Sequence, residues 1–298
     1  MTRPALPLSR PAGATRGGRA KNGAVFGAGI FVLIVLAVYL GPLIWRVDPP
    51  YLDLLARNAP PSPAHPLGTD ELGRDMLARL MAGGRVSISV GLAAMAISVG
   101  LGAAIGLLAG FYRHLDGPLM RLTDLFLALP LLPLLLVMVT LFRDSLTQLV
   151  GPEAGLFALI VGAIGVTSWM QTARIVRGDV LALKERDFIT AARSGGARDI
   201  RVITRHVLPN VLSPIIVSAT LGVANAIILE SALSFLGLGF PPDFPTWGRL
   251  LADATLYLQD YPGRAFWPGL AITLTGLSVI YIGDGVRDQL DPRTRARL

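Results

Sequence analysis

The chain contains no cysteine. That excludes disulfide scaffolds, thiolate zinc sites, iron–sulfur clusters and cysteine nucleophiles. Charge is scarce too: Asp, Glu, Lys and Arg make up 16% of the residues, against about a quarter in soluble domains. The only lysines are Lys21 and Lys184, and neither follows a glycine. A G-x-x-x-x-G-K-[ST] phosphate loop is therefore missing. The histidines, His65, His114 and His206, stand far apart. They do not provide the i, i+4 spacing of a histidine metal site. No cofactor is implied.

What is present is apolar. Hydrophobic residues are 52% of the 298, and mean hydropathy is +0.57. About 20 apolar residues cross a bilayer as a helix. Six runs lack Asp, Glu, Lys, Arg and His: Ala24–Trp45, Val86–Gly110, Leu125–Phe142, Ala154–Ala173, Val207–Leu229 and Ala265–Gly283. The third contains Pro130 and Pro133. The fifth contains Pro209, Asn210 and Pro214, so its membrane part is expected to begin near Pro214. Thr167, Ser168 and Gln171 lie near one end of the fourth. The pattern predicts an all-α integral membrane protein with six transmembrane helices.

Lys and Arg set the orientation. Residues 1–23, 111–124, 174–206 and 284–298 hold 19 of the 27, and the alternating pieces hold 8. Positive charge collects on the cytoplasmic side, which places both termini there. The basic, Pro/Gly-rich residues 1–23 read as a disordered tail. The apolar run behind them is longer than a signal-peptide core and no A-x-A-like site follows, so it reads as a retained anchor. The net charge of +7 is explained by topology and anionic headgroups, without nucleic acid.

The spans offer neither a coupling charge for an ion-driven carrier nor a nucleophile with a base. Ser168 and Thr167 have no histidine or carboxylate in their run. No catalysis is expected. A channel or secondary carrier, a structural membrane protein, and the membrane half of a machine driven by another chain remain.

Residues 174–210 are the longest cytoplasmic piece. Val176, Val180 and Leu183 recur at helical spacing, as do Phe188, Ala191 and Ala192. Gly195 and Gly196 break the pattern, and Asp199 is placed to cap a second helix ending near Pro209. On periodicity this is a helix, a glycine turn and a helix at the membrane surface. The residues go further. Ala191-Ala192, Gly196 and Leu208-Pro209 resemble the EAA loop of binding-protein-dependent ABC importer permeases, with Thr190 where the motif has Glu. Three more stretches resemble the dipeptide/oligopeptide and nickel branch: His65–Asp75 with Gly83–Gly91, Glu230–Gly239 with Pro245–Gly248, and Phe266–Thr275 with Gly283–Arg293. The resemblance runs in order from about residue 25 to the end, and is to the second permease of the pair.

The resemblance implies a type I ABC importer permease fold. Ala191, Ala192, Gly195, Gly196, Leu208 and Pro209 would then form the ATPase-coupling loop. It implies a homologous second permease subunit, two ATP-binding subunits and an extracytoplasmic solute-binding protein as partners, in a bacterial inner membrane. The cargo it implies is a peptide or a similar small solute. Glu230, at the outer end of the fifth run, is either a gate or pore residue or a plain interfacial carboxylate. His65–Asp75 suits a turn entering a short helix near Asp70. The expected organisation is a tail at 1–23, a first transmembrane helix at 24–45 and an extracytoplasmic segment at 46–85. A five-helix core at 86–283 carries the coupling loop 174–210, and a cytoplasmic tail fills 284–298.

The charge count generates a direct test. In intact cells a membrane-impermeant thiol reagent should label a Ser62→Cys variant and spare Ser194→Cys. Labelling at 194 and not at 62 reverses the orientation.

Overall fold

The computed structural model describes residues 16–290 apart from position 242. The helices are α1 (Arg16–Ile44), α2 (Met76–Phe111), α3 (Arg113–Ala128), α4 (Leu131–Val150), α5 (Pro152–Thr167) and α6 (Met170–Lys184). They continue with α7 (Asp187–Ser194), α8 (Asp199–Val202), α9 (Leu208–Phe235), α10 (Trp247–Thr255) and α11 (Gly263–Leu290). Five helical stretches are long and apolar enough to cross a membrane, and α5 with α6, bent by 41°, makes a sixth.

The boundaries differ from the expected ones for local reasons. Helix α1 begins at Arg16, inside the stretch expected to be disordered; residues 1–15 lie outside the described residues. Once the apolar run is helical, each added residue costs little, so the helix propagates back through Ala20 and Lys21. In the third run, Leu129 before Pro130 is held extended, at ψ 135, as the proline ring requires. That divides an amphipathic α3 from the span α4, and Leu125–Phe142 is not one helix. Pro133 sits in the first turn of α4, where its missing N–H costs nothing. Pro209 likewise opens α9, which runs on through Pro214 without a break. Helix α11 continues past Gly283 to Leu290; residues 291–298 lie outside the described residues. The α5–α6 bend falls at Ser168–Trp169. There Thr167 Oγ1 donates back to Ala163 O at 2.7 Å, a bond that loosens the last turn.

Helix α2 is the axis of the molecule. Its 36 residues make a rod ~54 Å long, well beyond the ~30 Å hydrocarbon core. Asp75 caps it, accepting from Ala78 N at 2.7 Å; no helix forms at Asp70. Asp70 instead turns the chain, accepting from Leu72 N and Arg74 N. Its second oxygen accepts from Arg74 Nε at 2.6 Å and Arg79 Nη1 at 2.5 Å. Arg79 also reaches Asp253 at 3.5 Å. Arg264, from α11, donates to Thr69 O and Asn58 Oδ1. This buried knot fastens the segment before α2 to α10 and α11. Burial works to raise the Asp70 carboxyl, but Arg79, the Arg74 N–H and the Arg74 guanidinium outweigh it and hold the group below the usual carboxylate range. Breaking such a pair from one side costs about 3–5 kcal/mol, because an uncompensated charge stays buried.

Along its length α2 packs on α6 through Gly102, Gly106 and Gly110. A Cβ on Gly106 would stand 2.6 Å from Ala173 O, and one on Gly110 2.7 Å from Val180 Cβ. Only glycine permits this approach, which brings the two backbones together as small residues do between membrane helices. A Gly106→Leu variant should therefore lower the thermal midpoint of the detergent-purified protein, by overpacking worth about 1–3 kcal/mol. Gly100→Leu, whose Cβ meets nothing within 4 Å, should melt with the parent. Equal melting of the two variants would mean that the seam has slack.

Candidate functional site

Helix α6 ends at Lys184, and after Glu185 and Arg186 the chain enters α7. Helix α7 ends in a hydrogen-bonded turn: Gly195 N donates to Ala191 O at 2.9 Å and Ala197 N to Ala192 O at 3.1 Å. Gly196 there has φ +77, the left-handed conformation that glycine enters without strain. Asp199 lies in the first turn of α8 and makes no side-chain cap; Arg198 holds the cap position. A five-residue π-helical turn, Ile203–Val207, carries the chain into α9.

This loop is braced against α2. Ile189 of α7 is fully buried, in one cluster with Phe111, Val176, Val180, Val202 and Val207. The Arg193 guanidinium lies 4.9 Å from the centre of the Phe111 ring. Lys184 Nζ donates to Phe111 O at 2.8 Å and Gly110 O at 3.2 Å, satisfying carbonyls left free at the helix end. Helix α3 joins through Arg177–Asp116 and Arg174–Asp124. The Arg177 hydrogen bond holds the Asp116 carboxyl below its ordinary value.

The residues singled out in this loop divide into two faces. Ala191, Gly195 and Gly196 are exposed, and Ala192 is half-buried. Leu208 packs on the cluster around Ile189, while Pro209 is exposed at the start of α9. The outward face carries small residues, Ala191, Ser194, Gly195 and Gly196, beside the exposed Arg193 and Arg198.

Glu230 lies elsewhere, 22 residues along α9 from Leu208, or ~33 Å at helical rise. It is fully buried. Ser87 Oγ and Ser234 Oγ each donate to its carboxylate at 2.7 Å. Trp247 N donates in turn to Ser87 Oγ at 3.3 Å, so the group joins α2, α9 and α10. Glu230 does not line the cleft described next.

That cleft, of about 1150 Å³, lies between α6 and α9 and reaches the loop-bearing end of both. Gln171, Ile175 and Asp179 follow one face of α6, with Arg186 just beyond its end. Asn210, Ser213, Val217, Leu221 and Asn225 follow the facing stripe of α9, at the three-and-four spacing of one helix face. Several hydroxyls elsewhere bond back to their own helix, as Thr140, Thr273 and Ser278 do, while Ser98 and Thr275 are buried without a partner. The side chains of Gln171, Ser213, Ser218 and Asn225 have no partner among the described residues. Gln171 was noted in the sequence only as a polar residue near the end of the fourth run, and Ser213, Ser218 and Asn225 were not singled out. Their signal is a polar stripe of period 3.6 within the fourth and fifth apolar runs, which a count of charges passes over.

The cleft is open, partly polar and able to guide a solute. It shows no nucleophile–base pair, and the described residues hold no group of three or more His, Cys, Asp or Glu that could bind a metal ion. Comparison with known proteins agrees with this picture. Residues 97–296 match the family described as binding-protein-dependent transport system inner membrane component. Residues 19–61 match the N-terminal TM domain of oligopeptide transport permease C. The oligopeptide transport system permease protein OppC of Bacillus subtilis (strain 168) is 39% identical over 281 residues, covering 93% of this chain and 88% of that one. A Brucella suis biovar 1 protein, named as a peptide transport system permease, is 39% identical over 270 residues, covering 89% and 86%.

Proposed function

Since the chain belongs to the binding-protein-dependent transport system inner membrane component family, and is a permease of an ABC importer, we propose that it forms half of a path for peptides. The cargo reading rests on its relatives, which are named for peptide and oligopeptide transport. A homologous permease supplies the other half. Of two ATP-binding subunits, one docks on the α7 loop and the other on the corresponding loop of the sister permease, and a solute-binding protein docks on the opposite face. The chain lies in the inner membrane with both termini cytoplasmic, and performs no chemistry of its own.

One observation carries the mechanism. The two helices that leave the α7–α8 loop, α6 and α9, are also the two walls of the cleft. A push on α7 cannot be absorbed locally, because Ile189, Lys184 and Arg193 tie it to the end of α2. Closure of the ATPase pair therefore moves the cleft walls, and the path alternates between its two openings. The chain supplies contacts that differ between the two states, and ATP supplies the bias. The buried Glu230 cluster clamps α2, α9 and α10 at the far end, and acts as a gate by holding or releasing that end. Residues 46–85 form the extracytoplasmic segment, which the ionic knot fastens to α10 and α11.

Enlarging the exposed tip tests the docking role without disturbing this chain's own packing. Ala191→Trp and Gly196→Asp should insert and pair with the sister permease at near-normal level. Ala191 is exposed, and a Cβ at 196 meets nothing within 4 Å. The cost at 196 is the local strain of a side chain at φ +77, about 1–2 kcal/mol and smaller for Asp than for most residues. Peptide uptake, and ATPase stimulation by loaded binding protein, should both collapse. Normal uptake by both variants would reduce the loop to a connector.

A further inference from the structure

Three charged side chains line the cleft near its loop-bearing end: Asp179, Arg186 and Arg287. None has an ion-pair or hydrogen-bond partner among the described residues. This contrasts with the neighbouring acids on α3, Asp116 and Asp124, which are paired with Arg177 and Arg174 of α6. Asp179 is half-buried, so its unpaired carboxylate is partly withdrawn from water and favours an incoming cation.

Asp179 lies on α6, and Arg186 lies two residues beyond the end of that helix with extended backbone. Five residues of helix and two beyond it set their separation at no more than about 14 Å, within the span of a short extended peptide. On the strength of the peptide reading above, we propose that Asp179 receives the ammonium group, and Arg186 the carboxylate, of a short peptide leaving the path. Gln171, Ser218 and Asn225, further up the same stripes, offer neutral donors and acceptors for main-chain amides. This end of the path thus recognises the groups common to all short peptides and ignores their side chains. A neutral sugar would use neither charge. Guanidinium matches a carboxylate in a two-point hydrogen-bonded fork, which suits Arg186 for the other end.

The test uses the complete assembly, with its sister permease, ATPases and binding protein, in proteoliposomes. Uptake of a tripeptide with free termini is measured beside ATPase stimulation. Asp179→Asn should lower uptake about tenfold, the loss of one charge-assisted contact. ATPase stimulation should stay near the parent level, and Asp179→Glu should restore most of the uptake. Parent-like uptake by Asp179→Asn overturns the proposal. So does a parallel fall of uptake and ATPase stimulation, which would make Asp179 part of the coupling. If the unmodified assembly takes up no tripeptide, the cargo reading itself fails, and that control separates the two failures.

Discussion

Backbone-to-backbone contact between α2 and α6, at Gly102, Gly106 and Gly110, is what positions everything else. In lipid there is no hydrophobic drive to press two helices together, so close approach at small residues has to supply the attraction. With α6 seated this tightly, its lower end meets the end of α2, where Phe111 takes Lys184 and Arg193. At the other end of the same rod, Asp75 caps the helix and Arg79 anchors the ionic knot, and Ser87 reaches Glu230. One helix thus links the α7 loop to the Glu230 cluster.

The distribution of polar groups follows from what each region has to do. Where the structure must stay fixed, charges are buried and paired, as in Asp70 with Arg74 and Arg79. In the cleft, polar side chains are left without partners among the described residues, as at Gln171, Asn225 and Asp179. An unpaired polar group carries a cost in the resting protein, and a path recovers that cost each time cargo is present. Hydroxyls and amides dominate the stripe, in keeping with transit: a site that held its cargo tightly would not release it.

Much of this was legible in the sequence because lipid imposes a simple length rule on uncharged runs. Four of the six runs fall on single membrane-length helices and the fourth run on the bent α5–α6 pair, whereas the third is split between α3 and α4; Ala191 to Gly196 form the predicted helix and glycine turn. The errors occur where the rule is silent. Pro130 lies inside an uncharged run, and only the geometry before a proline divides α3 from α4. The short helix expected near Asp70 is absent, because the carboxylate is engaged by Arg74 and Arg79, and Arg79 lies nine residues away on α2. Glu230 was visible as the acid at the outer end of a run. Its burial against Ser87, which is 143 positions earlier in the chain, was not. The cleft was unseen because Ser213, Ser218 and Asn225 are too few and too neutral to interrupt an apolar run, and become a surface only when α6 faces α9.

The central claim is that movement of α7 turns the α6–α9 cleft from one side of the membrane to the other. A single cysteine in place of Asn225, midway along α9 and inside the cleft, reports this directly in the assembled transporter. Without nucleotide, an impermeant thiol reagent should reach it from the cytoplasmic side alone. With the ATPase subunits trapped closed by ATP and vanadate, labelling should vanish from that side and appear from the other. Equal cytoplasmic labelling in both states would contradict the account.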